Sequence, residues 1–231
     1  RGLTIDRVGF DKEMERQRKL SKAASQFVAA TRVDLSDELA TEFVGYKALK
    51  QAAAPILNLL ANNKSSVGEL SEGEEGFIIL AKTPFYAQGG GQIGDTGYLL
   101  NATSQFLVTQ TFKEGAFILH QGKLLKGHLK KGDKLKAEVD VEKRRAITLN
   151  HSATHLLHAA LREVLGGHVM QKGSLVEPER LRFDFSHPDL LSTEQLKIIE
   201  DRVNQQIRAN LPVLTQIMSR EEARQTGALA M

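Results

Sequence analysis

The sequence predicts an α+β chain: an N-terminal helical segment, then a small antiparallel β-barrel, then a two-layer α/β unit. Three observations predict it. The first stretch is charge-rich and free of Gly and Pro, and the middle is a series of short apolar or alternating runs separated by Gly-containing turns. The last third mixes a helical His/Leu pattern, an alternating hairpin pattern and a capped helix. The boundaries fall at residues 1–43, 44–145 and 146–231.

In the first segment, Asp11 to Lys19 supplies helix formers, while the apolar positions Phe10, Met14, Ala24 and Val28 are sparse. Such a helix is mostly exposed or packs on something outside itself. In the middle, Gly76 to Ala81 is an apolar run between turn residues, and Lys134 to Glu142 alternates without a break. Ala116 to His120 is a third strand, and Ala52 to Leu60 stays ambiguous because Pro55 is awkward in either element. In the last segment a helix runs through His151 and Leu157 until Gly166 and Gly167 stop it. A hairpin follows, with Leu181, Phe183 and Phe185 on one face, and then a helix opened by Ser192 and Gln195 and closed by Pro212.

Composition excludes several functions. With no cysteine among 231 residues there are no disulfides, no thiol catalysis and no cysteine-bound metal within them. No apolar run approaches the roughly 20 residues of a membrane helix, so no membrane role is expected. The chain opens on Arg1 and closes on Met231 after a run of small residues, and both ends read as cuts in a longer protein. The net charge of +3 selects no partner. Between Thr111 and Arg145, however, ten Lys/Arg face five acids, among them Lys130, Lys131, Lys134, Arg144 and Arg145. That patch suits a phosphate backbone, and it equally suits a solvated β face with lysines guarding an edge.

Two motifs could carry chemistry. Gly89, Gly91 and Gly94 spell G-x-G-x-x-G, but β-like sequence follows instead of the helix that fingerprint needs. The glycines therefore read as tight turns or as a place where backbone approaches a ligand. His151 and His155 lie four apart, one turn apart on one helix face, the spacing at which two imidazoles hold one zinc. His158 lies near the same line, opposite an apolar stripe that includes Leu157 and Leu161. An exposed polar face remains the alternative. Ser152 at the base position argues against a protease of the H-E-x-x-H kind. Other donors, His168, His187 and Asp184, have no spacing that compels a metal site.

Taken together, the strings carry a resemblance. Gly9 to Arg18, Phe43-Val44-Gly45-Tyr46, Thr83-Pro84-Phe85-Tyr86 with the glycines, Asn150 to His158, Gln171 to Val176 and Arg182 to His187 stand in one order along the chain. The chain resembles the alanyl-tRNA synthetases around their editing domain, and the likeness covers essentially its whole length. A more distant likeness, through the paired histidines, is to the editing domain of threonyl-tRNA synthetases.

The resemblance implies a cytoplasmic enzyme that joins alanine to tRNA(Ala) with ATP and Mg in a catalytic domain preceding Arg1. This segment would hold the end of the tRNA-recognising helical region, the barrel and the editing domain, which hydrolyses serine or glycine esters of tRNA(Ala). It implies zinc held by His151 and His155, with a Cys-x-x-x-His pair beyond Met231. Thr154 and Gln171 match positions that line the amino-acid pocket and act in catalysis, and Gly89, Gly90, Gly91 and Gln92 match the barrel loop bordering the substrate. Lys130, Lys131, Lys134, Arg144 and Arg145 would meet the tRNA, and a homodimer would form through regions outside this chain. Gln88 departs from the family, which commonly carries Glu there. The competing expectation is a free-standing or inactive tRNA-binding homologue without a complete metal site.

Overall fold

A computed structural model describes residues 6–24 and 40–226. The expected apolar position Val28 lies outside them. Helix α1 (Arg7–Ala24) begins where Asp6 caps the Gly9 amide at 2.9 Å. Phe10 and Met14 are 59% and 40% exposed, so this helix shows its sparse apolar positions to solvent.

The β strands follow in chain order. They are β1 (Glu42–Phe43), β2 (Lys50–Ala61), β3 (Ser66–Val67), β4 (Glu69–Ser71), β5 (Glu75–Leu80), β6 (Lys82–Thr83) and β7 (Gly97–Leu100). Next come β8 (Gln105–Glu114), β9 (Phe117–Lys126), β10 (His128–Lys130) and β11 (Lys134–Val139). Six of them pair in the order β11-β7-β8-β9-β5-β2, and β2 pairs back to β11, closing an antiparallel barrel. Closure removes the sheet edges that would otherwise be open to aggregation. The interior is packed with fully buried aliphatic and aromatic side chains, Leu59, Ile78, Leu99, Phe106 and Leu135 among them.

Pro55 resolves as part of a strand. β2 pairs through its first half with β11 and through its second with β5, and Pro55 sits at the change of partner. Beside it Ala53 adopts φ +50° at a register shift, so the missing N–H falls at a bulge, where a ladder tolerates it. The alternating run from Lys134 forms β11 with every second residue buried. It ends three residues early, because the Asp140 side chain accepts the Lys143 N–H at 3.1 Å and starts helix α2 (Val141–Leu165).

Gly166 caps the end of α2 as expected. The hairpin is β12 (Gln171–Val176) with β13 (Leu181–Phe185). Then α3 (Thr193–Ala209) opens on the Ser192/Gln195 capping box and ends on Asn210 in the left-handed conformation, two residues before Pro212. A short α4 (Arg220–Gln225) follows. α2 packs on the hairpin and α3 packs on α2, around Ala160, Leu161, Val169 and Ile199, with Phe183 and Phe185 in the same cluster. Of the apolar residues at helical spacing on α3, Ile199 and Val203 face this core, whereas Leu196 and Ile207 are about half exposed. The chain is thus α+β, with a closed six-stranded barrel. None of the described helices is long and apolar enough to cross a membrane.

Candidate functional site

The glycine string opens no helix. It is a loop between β6 and β7, in which Gly89 and Gln92 exchange both backbone hydrogen bonds at 3.0 Å across Gly90 and Gly91. The two central glycines have φ +58° and +80°, the pair of positive angles a two-residue reversal demands. Gly91 is further constrained by its neighbour: a Cβ there would stand 2.0 Å from Ser174 Oγ and 2.8 Å from the Ser174 carbonyl oxygen. The loop therefore lies flat on β12. Val176 donates to the Gly91 carbonyl at 2.8 Å and Ile93 to the Val176 carbonyl at 3.2 Å.

A buried ionic knot sets the angle at which α2 leaves the barrel. Arg144, in the first turns of α2, donates from Nε to Asp95 Oδ1 at 2.8 Å and from Nη2 to Oδ2. Its remaining donors reach the Gly45 and Pro84 carbonyls, each at 3.1 Å. The Asp95 side chain is 1% exposed and also accepts the Tyr86 N–H at 2.7 Å. A guanidinium is the side chain that can satisfy so many acceptors in one plane. Arg144 thus turns inward, unlike its neighbour Arg145, which is exposed together with Lys130, Lys131 and Lys134. Lys130 lies 3.7 Å from Glu69 at the surface.

With helix and loop placed, a cleft of about 410 Å³ opens between them, lined by Gly90, Gly91, His151, Thr154, His155, Gln171, Ser174 and Val176. His151 and His155 stack there with ring centroids 5.2 Å apart and planes 13° from parallel. His151 Nδ1 lies 2.7 Å from Gln92 Oε1. Burial, reinforced by the neighbouring His155, holds the His151 imidazole below its usual pKa and so favours its neutral form. Thr154 is buried and donates its hydroxyl proton to the Asn150 carbonyl at 2.8 Å. Gln171 donates from its amide to Ser174 Oγ at 3.1 Å.

The residues named from sequence divide accordingly. His151, His155, Thr154, Gln171, Gly90 and Gly91 come together in the cleft, and Gln92 stands behind His151. Gln88 is exposed outside the lining. His158 does not join: two turns beyond His151 on the same line, it is covered by β13 and packs on Phe183 at 5.2 Å. The same helical line meets the cleft at one end and the core at the other. His168 and His187 bond to each other at 2.9 Å, and Asp184 pairs with Arg182 at 3.1 Å. Sequence reasoning missed Ser174 and Val176 as lining; only their seat beneath the glycine turn reveals them.

Two imidazoles one turn apart are the donor chemistry zinc takes. They supply two ligands, and among the described residues no group of three His, Cys, Asp or Glu could hold a metal ion.

Known proteins are similar to the chain along its whole length. Residues 1–143 match the family of tRNA synthetases class II (A). The whole chain is 51% identical, over 233 residues, to the alanine–tRNA ligase of Coxiella burnetii (strain RSA 331 / Henzerling II), covering 26% of that protein. It is 49% identical over 231 residues to the alanine–tRNA ligase of Pseudomonas fluorescens, again spanning 26% of it. With the enzyme of that name from Leptospira biflexa it shares 47% over 234 residues and covers 25%. The chain thus spans about a quarter of the length of the curated relatives it matches.

Proposed function

The chain belongs to the class II (A) tRNA synthetases, and from that premise we propose that it carries the editing site of an alanyl-tRNA synthetase. In this reading the site hydrolyses the ester of serine or glycine wrongly joined to tRNA(Ala). The parent enzyme makes the correct ester in the cytoplasm with ATP and Mg. The chain divides into a helical segment (1–43), a barrel (44–145) and the editing unit (146–231). The observation that carries the reading is the stacked pair His151 and His155, set in a cleft beside Thr154 and Gln171.

The need for such a site is physical. An activation pocket shaped for a methyl group discriminates poorly against a smaller side chain, and only modestly against an added hydroxyl. A second site that removes the errors has to recognise what the first cannot reject. Thr154 is suited to that recognition. Its proton is committed to Asn150, so its oxygen meets a ligand only as an acceptor, the complement of a serine hydroxyl. Gln171, held by Ser174, orients a second polar group beside it. Gly90 and Gly91 bring bare backbone to the opposite wall, which leaves room for an esterified amino acid.

His151 and His155 would hold zinc, with the remaining ligands supplied from outside the described residues. Zinc, when bound, supplies a Lewis acid for a carbonyl or for water. The residues of this chain do the placing. The Arg144–Asp95 knot sets the helix, the glycine turn closes the wall, and Thr154 and Gln171 orient the amino-acid part of the ester. Lys130, Lys131, Lys134 and Arg145 are each exposed, as contacts with tRNA(Ala) require. In full-length protein, His151→Ala abolishes hydrolysis of Ser-tRNA(Ala) and leaves tRNA affinity nearly intact. Unchanged deacylation in that variant removes the role assigned to the pair.

A second reading, a tRNA-binding homologue without activity, is favoured by one observation: the described residues supply no third metal ligand. Wild-type protein that binds tRNA(Ala) yet leaves Ser-tRNA(Ala) intact establishes that reading over the first.

A further inference from the structure

The editing reading sets Gln92 in the loop bordering the substrate, but its side chain turns to His151. It comes from the barrel loop, 59 positions before His151, and is only 6% exposed. Its backbone is fully engaged: its N–H donates to the Gly89 carbonyl and its own carbonyl accepts from Gly89, both at 3.0 Å. The loop is pinned on either side of it by the bonds between Gly91, Ile93 and Val176. The side chain is therefore held, and its Oε1 stands 2.7 Å from His151 Nδ1.

We propose that Gln92 is a positioning residue that fixes the tautomer and ring orientation of His151. Its amide oxygen can only accept, so His151 must carry its proton on Nδ1 and donate it. Nε2 is then left as a bare lone pair, the form in which an imidazole ligates a metal. Without the amide, the two neutral tautomers compete and the ring turns about its side-chain bonds. The barrel thus reaches into the helix–hairpin unit to set one of its histidines, so the glycine turn is part of the histidine site as well as a wall of the cleft. The proposal rests on the editing reading for its purpose, but its geometry does not depend on it.

The test uses nitrogen-15 NMR of the histidine rings in this chain without metal at pH 8, for wild type, Gln92→Leu and Gln92→Glu. Wild type and Gln92→Glu, which keeps an acceptor in place, show His151 as the Nδ1–H tautomer, and Gln92→Leu shows a mixture. Zinc titration of the same samples, read on the His151 and His155 ring signals, gives affinity weakened roughly 10- to 100-fold in Gln92→Leu and restored in Gln92→Glu. An unchanged tautomer in Gln92→Leu, or a Gln92→Glu protein that behaves like Gln92→Leu, overturns the proposal. The reading beneath it is tested separately by His155→Ala. If that variant takes up zinc as wild type does, the metal role of the pair fails while the tautomer result stands on its own.

Discussion

His120 lies wholly inside the barrel wall on β9, edge-on to Phe85 at 5.1 Å. Its Nδ1–H donates to the Ile78 carbonyl at 2.8 Å, so Nε2 is an acceptor and receives the Thr83 hydroxyl at 2.7 Å. Burial holds the imidazole down to about 4, against an ordinary value of 6.5. The folded chain therefore refuses a proton that the unfolded chain accepts, and stability falls as pH drops from about 6.5 towards 4. Above that window the group costs nothing. Within it, linkage gives a loss of about 2 kcal/mol by pH 5 and about 3 kcal/mol by pH 4. Other groups titrate in the same range, so the clean measurement is a difference. Urea unfolding of wild type and His120→Gln is compared at pH 7.5 and at pH 5. At pH 7.5 the variant is the less stable, through its poorer fit in a close-packed wall. At pH 5 the gap narrows by about 2 kcal/mol, because glutamine has no proton to refuse. A gap that stays constant between the two pH values refutes the assignment of His120 as a buried neutral group.

Two further predictions test how the cationic residues divide. Arg144→Ala strands the buried Asp95 carboxylate and destabilises the chain by about 3–5 kcal/mol in chemical denaturation, whereas exposed Arg145→Ala stays within about 0.5 kcal/mol. Equal small effects in both would remove the knot from the account of how α2 is placed. Replacing Lys130, Lys131 and Lys134 together lowers the slope of log affinity against log salt for tRNA(Ala) by roughly 2–3, at about 0.7–0.9 for each phosphate no longer neutralised. An unaltered slope returns that strip to a solvated barrel face.

Much of the architecture was legible along the chain, because it depends on local periodicity. The alternation from Lys134 produced β11, the Ser192/Gln195 box opened α3, and Gly166 closed α2, each a decision made within a few residues. The pairing of His151 with His155 was legible for the same reason, since helix geometry alone brings positions four apart together. Where sequence reading went astray, long-range packing had decided. His158 shares the line of His151 and yet is core, because β13 covers that end of α2. Arg144 reads as one of a basic cluster and yet turns inward, its side chain only 12% exposed, because Asp95, 49 positions earlier, waits for it in the barrel loop. Lys134 to Glu142 alternates throughout, yet Asp140 serves a helix start better than a strand. Sequence patterns specify elements through interactions that span a turn or a pleat. Whether a given side chain meets solvent, core or cleft depends on which distant segment folds over it. The cleft exists only where the barrel's glycine turn seats on β12, and neither segment carries a local mark of the other.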